Sequence, residues 1–304
     1  MKRFRLMLTL IGVWCMAGPL WAGPRPACPD PPAVDRELYG VLEKARKSLS
    51  GDRNRAALEV LSAYAARHPG RKHYHLSFCM GTAHYRLRQM ARAEASFAAA
   101  AALLPCRREV WENIAAVRAA RGNPAGAAAA LSVACRLSPP DREEWRRLGD
   151  LYRLAGVPAK ADQAYRKAFG KDPGPGELDL ISDTWLAARN LEQALESARL
   201  AAAKAPTGKR WARVGDICFH LGDIQASIAA YRKGAALDDG DGRMSLREGM
   251  AALKLKRLAD AEACFARALC KASPESPTAR DAAKWIELIE AAQKGGGFAE
   301  REIN

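Results

Sequence analysis

Trp111, Trp145 and Trp211 lie 34 and then 66 residues apart, one interval of about 33 followed by two. A period of this length marks a stacked repeat, in which each unit is one supersecondary element that cannot bury its apolar face alone. The clearest unit, Arg142 to Pro175, carries Trp145, Leu148, Gly149, Tyr152, Gly156, Ala161, Tyr165, Ala168 and Pro173. Helical periodicity puts Trp145, Leu148, Gly149 and Tyr152 on one face of a first helix, and Ala161, Tyr165 and Ala168 on one face of a second. Gly149, Ala161 and Ala168 let two backbones approach while the Trp and the two Tyr fill the space beside them. Gly156 suits the left-handed residue that ends the first helix, Pro158 suits the first position of the second, and Pro173 stops it.

The pattern recurs with losses. Upstream it runs through Trp111, Ile114, Gly122, Ala127, Leu131, Ala134 and Pro139, with Asn123 as the expected N-cap, and before that through Met80, Gly81, His84, Ala93, Phe97, Ala100 and Pro105. Downstream it passes through Ile181, Trp185, Ala194, Ala198 and Pro206, then Trp211, Gly215, Gly222, Ser227 and Tyr231, then Gly249, Ala252, Ala261, Phe265 and Ala268. Glu37 to Pro69 reads as a degenerate first unit. These positions resemble the tetratricopeptide repeat (TPR). The resemblance implies an all-α, right-handed α-solenoid of about seven helix-turn-helix units over residues 37–275. Residues 276–293, with Ala279, Ala282, Trp285, Ile286 and Ile289, form an amphipathic helix expected to cap the last apolar face. Residues 294–304 read as a flexible tail.

Composition agrees. Hydrophobic residues make up 49% of the chain, but alanine dominates them and no β-branched run reads as a strand, which excludes alternating strand-helix enzyme folds. No phosphate-cradling GxxxxGKS/T loop, GxSxG elbow or HExxH helix is present, so an enzyme is not expected, and neither is a cofactor.

Residues 1–22 read as a signal peptide: Lys2, Arg3 and Arg5, an apolar run from Leu6 to Gly18, and a Leu20-Trp21-Ala22 cleavage box. The alternative is an N-terminal membrane anchor, but a run broken by Gly18-Pro19 is at the short limit of the roughly 20 residues a span needs. Trp14 stands before Cys15, where lipoprotein signals resemble one another in carrying a small residue. Residues 23–36 form a Pro-rich linker. The expected location is therefore the periplasm or another exported compartment, with no stable membrane insertion after cleavage. Loss of the leader takes the net charge from +14 to +11, so the positive excess belongs to the folded protein. Such a charge raises nucleic acid as a partner, but export argues against it.

In the TPR family the first helix of each repeat lines a concave groove that receives peptides or helices. Carried onto this sequence, the resemblance makes Tyr85, Arg146, Arg147, Asp150, Arg153, Arg213, Asp216, Phe219, Arg243 and Arg247 the groove candidates, with Asp179 and Asp183 between them. Arginine forks beside aromatics suit an acidic protein or peptide segment. The Lys/Asn clamp by which some TPR domains hold chaperone tails is not matched, because its positions carry Phe78, Arg146, Asp179 and Ala212.

Seven cysteines follow the leader, an odd number, in a compartment that permits disulfides. Cys106 and Cys135, near the ends of second helices in consecutive repeats, are the expected pair. Cys264 and Cys270 fall on different sides of one helix and should not bond to each other. His73, His75 and Cys79 form the one cluster with ligand chemistry, since His75 and Cys79 are four apart on a helix face. They carry the alternative function, a metal-handling or redox protein.

Overall fold

The computed structural model describes residues 28–29 and 33–295, and the expected signal peptide and the last nine residues of the tail lie outside them. The described chain folds into seven helix pairs and a final helix. The pairs are α1 (Arg36–Ser50) with α2 (Asn54–Arg67), α3 (Tyr74–Arg86) with α4 (Met90–Leu103), and α5 (Arg108–Ala120) with α6 (Pro124–Leu137). They continue with α7 (Arg142–Leu154) and α8 (Pro158–Phe169), α9 (Pro175–Ala187) and α10 (Leu191–Lys204), α11 (Gly208–His220) and α12 (Ile224–Leu237), and α13 (Arg243–Lys254) and α14 (Leu258–Lys271). The last, α15, is Pro277–Gly295. Helices pack most closely within a pair, and the second helix of each pair then packs on the first helix of the next. The expected all-α solenoid of about seven units with a capping helix is the observed architecture.

Local chemistry sets the boundaries. Asp35, Asn123, Asn190, Thr207 and Asp223 each accept a backbone N–H in the first turn of the helix that follows, and Asp141 with Glu144 forms a reciprocal capping box on α7. Gly156, at φ +71°, makes the left-handed turn between α7 and α8 that a side chain would disfavour.

Each pair is held at one crossing point. A buried residue of the first helix is matched by a buried residue sixteen positions later in the second: Ala45 and Leu61, Gly81 and Phe97, Ala115 and Leu131, Gly149 and Tyr165, Ser182 and Ala198, Gly215 and Tyr231, Gly249 and Phe265. At the four glycines the two meet directly. At six of the seven the sizes compensate, with glycine opposite a ring or alanine opposite leucine, whereas Ser182 and Ala198 are both small. A Cβ on Gly149 would stand 2.5 Å from the Tyr165 ring, and one on Gly215 would stand 2.4 Å from the Tyr231 ring. Where the ring is tyrosine, its hydroxyl must be satisfied as it is buried. Tyr165 donates to Asp150 Oδ1 at 2.7 Å and Tyr231 to Asp216 Oδ1 at 2.8 Å, whereas the two phenylalanine repeats carry Thr82 and Met250 in place of that aspartate. Burial, followed by the neighbouring carboxylate, pushes both phenols well above their ordinary range.

The two ends are closed differently. At the C-terminus α15 buries Ala279, Ala282 and Ile289 and stacks Trp285 on Phe265 at 6.1 Å. At the N-terminus Asp35 pairs with Arg71, Glu37 pairs with Arg67 at 2.9 Å and His68 at 3.1 Å, and Cys28 is bonded to Cys106 in the α4–α5 turn. The expected Cys106–Cys135 pair is therefore corrected. Cys135 is a thiol, and Cys106 faces the incoming N-terminal segment instead, with a Cα–Cα separation of 5.5 Å from Cys28. Asp35 and Cys28 thus meet the turns that follow the first and second repeats. Cys264 and Cys270 are both thiols.

Two outcomes are expected. Gly149→Ala should cost about 1–3 kcal/mol by overpacking, measured by urea denaturation. Adding Tyr165→Leu should recover part of that loss by recreating the Ala115/Leu131 pairing; no recovery would show that the ring is not what the new methyl strikes. Reducing the Cys28–Cys106 bond, or Cys28→Ser, should destabilise the first two repeats by about 2–4 kcal/mol through the freed loop. Hydrogen exchange should then quicken in α1–α4 and stay unchanged in α9–α14.

Candidate functional site

The crossing points and caps consume most apolar side chains, which leaves the outward row of each first helix for function. In the last three repeats this row forms a hollow of about 720 Å³, lined by Asp183 and Leu186 of α9, Lys209, Ala212, Arg213 and Asp216 of α11, and Arg243, Met244 and Arg247 of α13, with Asp238 and Asp241 from the turn between. First helices of neighbouring repeats touch at both ends of the array, α1 with α3 and α11 with α13.

Of the ten sequence candidates, Arg213, Asp216, Arg243 and Arg247 are brought together in this hollow. Arg213 reaches back to α9, to Asp183 at 3.0 Å and Asp179 at 3.5 Å, and donates to the Asp179 carbonyl at 3.2 Å. Arg210 joins from the same helix, at 3.0 Å from Asp179. Arg247 reaches back to α11, to Asp216 at 2.9 Å, while Asp216 also takes the Tyr231 hydroxyl. Arg243 pairs with Asp241. Four cations and four aspartates line the hollow, so it is electrically balanced rather than basic.

Arg146, Arg147, Asp150 and Arg153 lie on α7, outside the hollow but on the same row. Arg146, Arg147 and Arg153 are exposed, and Asp150 is occupied by Tyr165. Tyr85 and Phe219 are half-buried. Tyr85 packs on the core shared by α3 to α8, and Phe219 packs beside Ile228 and Tyr231. Both rings serve packing as well as the groove wall. Sequence reasoning missed Leu186, Lys209, Asp238, Asp241 and Met244. Lys209 was findable, because it stands six residues before Gly215 as Arg243 stands six before Gly249.

His73, His75 and Cys79 are not assembled into a ligand set. His73 caps α3, its Nδ1 accepting the His75 N–H at 3.2 Å, and its ring stacks on that of His75 at 5.6 Å. Among the described residues no three His, Cys, Asp or Glu side chains are placed to hold a metal ion. Burial raises the Cys79 thiol and lowers the His75 imidazole, which leaves neither charged form favoured. No helix among the described residues is long and apolar enough to cross a membrane.

The tetratricopeptide repeat family profile matches residues 80–142 and 221–277, segments that hold the Gly81/Phe97, Ala115/Leu131 and Gly249/Phe265 crossings. Tetratricopeptide repeats are thus recognised over those two segments, and the helix pairs between them share the same architecture. No curated protein matches the sequence. Among solved structures, the Naa15/Naa10 assembly bound to HypK-THB is similar at a TM-score of 0.64 and 16% identity, over 84% of this chain and 39% of that one. The C-terminal part of a TPR repeat-containing protein from Cytophaga hutchinsonii is similar at 0.47 and 12% identity, over 79% of this chain and 98% of that one. The Cut9–Hcn1 hetero-tetramer of the APC/C gives 0.37 and 17% identity, and this chain spans about half (52%) of the chain it matches.

Thiol reactivity is the property on which a scaffold and a redox protein would differ. Burial pushes the Cys264 thiol up to about 11 and raises those of Cys79, Cys135 and Cys218, and the thiolate is the reactive form. Iodoacetamide at pH 8 should modify exposed Cys270 first and reach Cys264 only on unfolding, read by peptide mass spectrometry. Modification of Cys79 as fast as Cys270 would restore the redox alternative.

Proposed function

We propose that this TPR chain is an exported, non-catalytic scaffold that holds a segment of a partner protein along the row of its first helices, in the assembly of a bacterial envelope. The observation that carries the reading is the charged, accessible row on the first helices, which closes into a hollow across α9, α11 and α13. Preformed helices order only the incoming segment, so little entropy is lost by the receiving side. Of the arginines expected on that row, Arg146, Arg147 and Arg153 suit carboxylates on the partner, whereas Arg213 and Arg247 are met by aspartates of the preceding repeat.

The leader-like residues 1–22 support export. The Cys28–Cys106 bond supports it independently, since such bonds persist in oxidising compartments and are rare in the cytosol. The similar fold of Naa15, solved together with Naa10, supports a role among protein partners.

The test is envelope fractionation of the native host followed by chemical crosslinking and mass spectrometry. The expected result is a mature N-terminus near Gly23, with crosslinks running from first-helix residues to one envelope protein. An intact Met1 in the cytoplasmic fraction would overturn export, and crosslinks confined to second helices would overturn the groove.

A further inference from the structure

Three arginines occupy one repeat position but not one environment. Arg147, Arg213 and Arg247 each stand two residues before the glycine of the crossing point, at Gly149, Gly215 and Gly249. Arg213 and Arg247 are each met by the residue that follows the crossing residue of the preceding repeat, Asp183 after Ser182 and Asp216 after Gly215. These pairs form a ladder that ties first helix to first helix. The rung ahead of Arg147 is missing, because the residue after Ala115 is Ala116. The rung behind it is missing too, because the position that would meet Asp150 from α9 is Leu180.

The acids flanking α7 are already engaged. Glu112 and Glu144 are both taken by Arg108, Asp179 by Arg210 and Arg213, and Asp183 by Arg213. What remains on α7 is Arg147, Arg153 beside the Tyr165 hydroxyl, and Arg146, whose pairing with Glu143 at 3.7 Å joins two exposed side chains and is worth little. No ion pair of Arg147 is formed among the described residues. Each of these positions has an equivalent in a later repeat that lines the hollow: Ala212 for Arg146, Arg213 and Arg247 for Arg147, and Leu186 for Arg153. The α7 arginines therefore stand on the side of the array that carries the hollow.

We infer that α7 is where the chain captures a carboxylate-rich segment of its partner protein, through Arg147 and Arg153 with Arg146, while Arg213 and Arg247 hold the repeats together. This rests on the groove reading above. A helical rise of about 1.5 Å per residue sets Arg146 and Arg153 about 10 Å apart, the span of about three extended residues. Two or three acidic side chains in a short run would meet them, and a guanidinium receives each carboxylate on two parallel N–H groups. A recessed row admits a polypeptide strand more readily than the flat face of a bilayer.

The experiment measures fluorescence anisotropy of a fluorescein-labelled peptide with a Glu-Gly-Glu-Glu-Gly-Glu core against the full chain. Arg147→Glu with Arg153→Glu, both exposed and checked for an unchanged melting temperature, should weaken binding by about tenfold or more. Arg213→Glu should lower the melting temperature by breaking the ladder, yet leave peptide affinity within about threefold when measured well below that temperature. The inference is overturned if the peptide does not bind wild type, if the α7 double variant binds as wild type does, or if Arg213→Glu loses as much as the double variant. It is also overturned if anionic phosphatidylserine vesicles or duplex DNA bind more tightly than the peptide with the same α7 dependence. Crosslinks from a partner to α11 and α13 that survive the α7 double variant would leave the scaffold standing and remove this assignment.

Discussion

Everything in this molecule depends on how closely two antiparallel helices can approach at one point. With glycine at the crossing, an aromatic ring can lie flat against a bare backbone, as Phe97 does at Gly81 and Tyr165 at Gly149. With alanine the opposing residue shrinks to leucine, and with Ser182 it shrinks to Ala198. At six of the seven crossings, where glycine faces a ring or alanine faces leucine, the combined bulk is held near constant, so these pairs are similar and similar pairs can stack; only Ser182 and Ala198 are small together. A close-packed interior penalises both surplus and missing volume, so the two residues are constrained jointly.

The same crossing shapes the polar surface. A buried tyrosine needs an acceptor for its hydroxyl, and Asp150 and Asp216 supply it from the first helix. Asp216 then has a second oxygen turned outward, which takes Arg247 from the next repeat. A core requirement thus generates an ion pair on the functional row. In the last three repeats these pairs neutralise the arginines that a charge count would assign to binding. On α7 this ladder is interrupted on both sides: Arg142 and Glu144 pair with neighbouring repeats at the helix start, while Arg147 and Arg153 stay in water.

A stacked array contacts only its neighbours, so its ends would fray unless closed. The C-terminal end is closed by apolar burial under α15. The N-terminal end is closed by a covalent bond and a small group of ion pairs that reach across two turns, which makes it sensitive to reductant and salt in a way the other end is not.

The repeat, the helix pairs, the caps at Asn123 and Gly156 and the closing helix were legible in the sequence, because each follows from local spacing or from backbone preference at single residues. The repeat-equivalent arginines could also be found by counting. Their differing circumstances could not, since whether Arg213 meets Asp183 depends on how one repeat is set against the next. The cysteine partner was misread for a related reason. Cys106 and Cys135 both lie near the ends of second helices in consecutive repeats, but Cys28 from the N-terminal segment is the one bonded to Cys106. Proximity along the chain likewise suggested that His73, His75 and Cys79 act together, whereas His73 is spent on capping its helix. The sequence alone determined the fold, through a period whose volume rule is written residue by residue. Tertiary structure alone decided which charges are free and which cysteines meet, because both depend on distances between segments that no local pattern encodes.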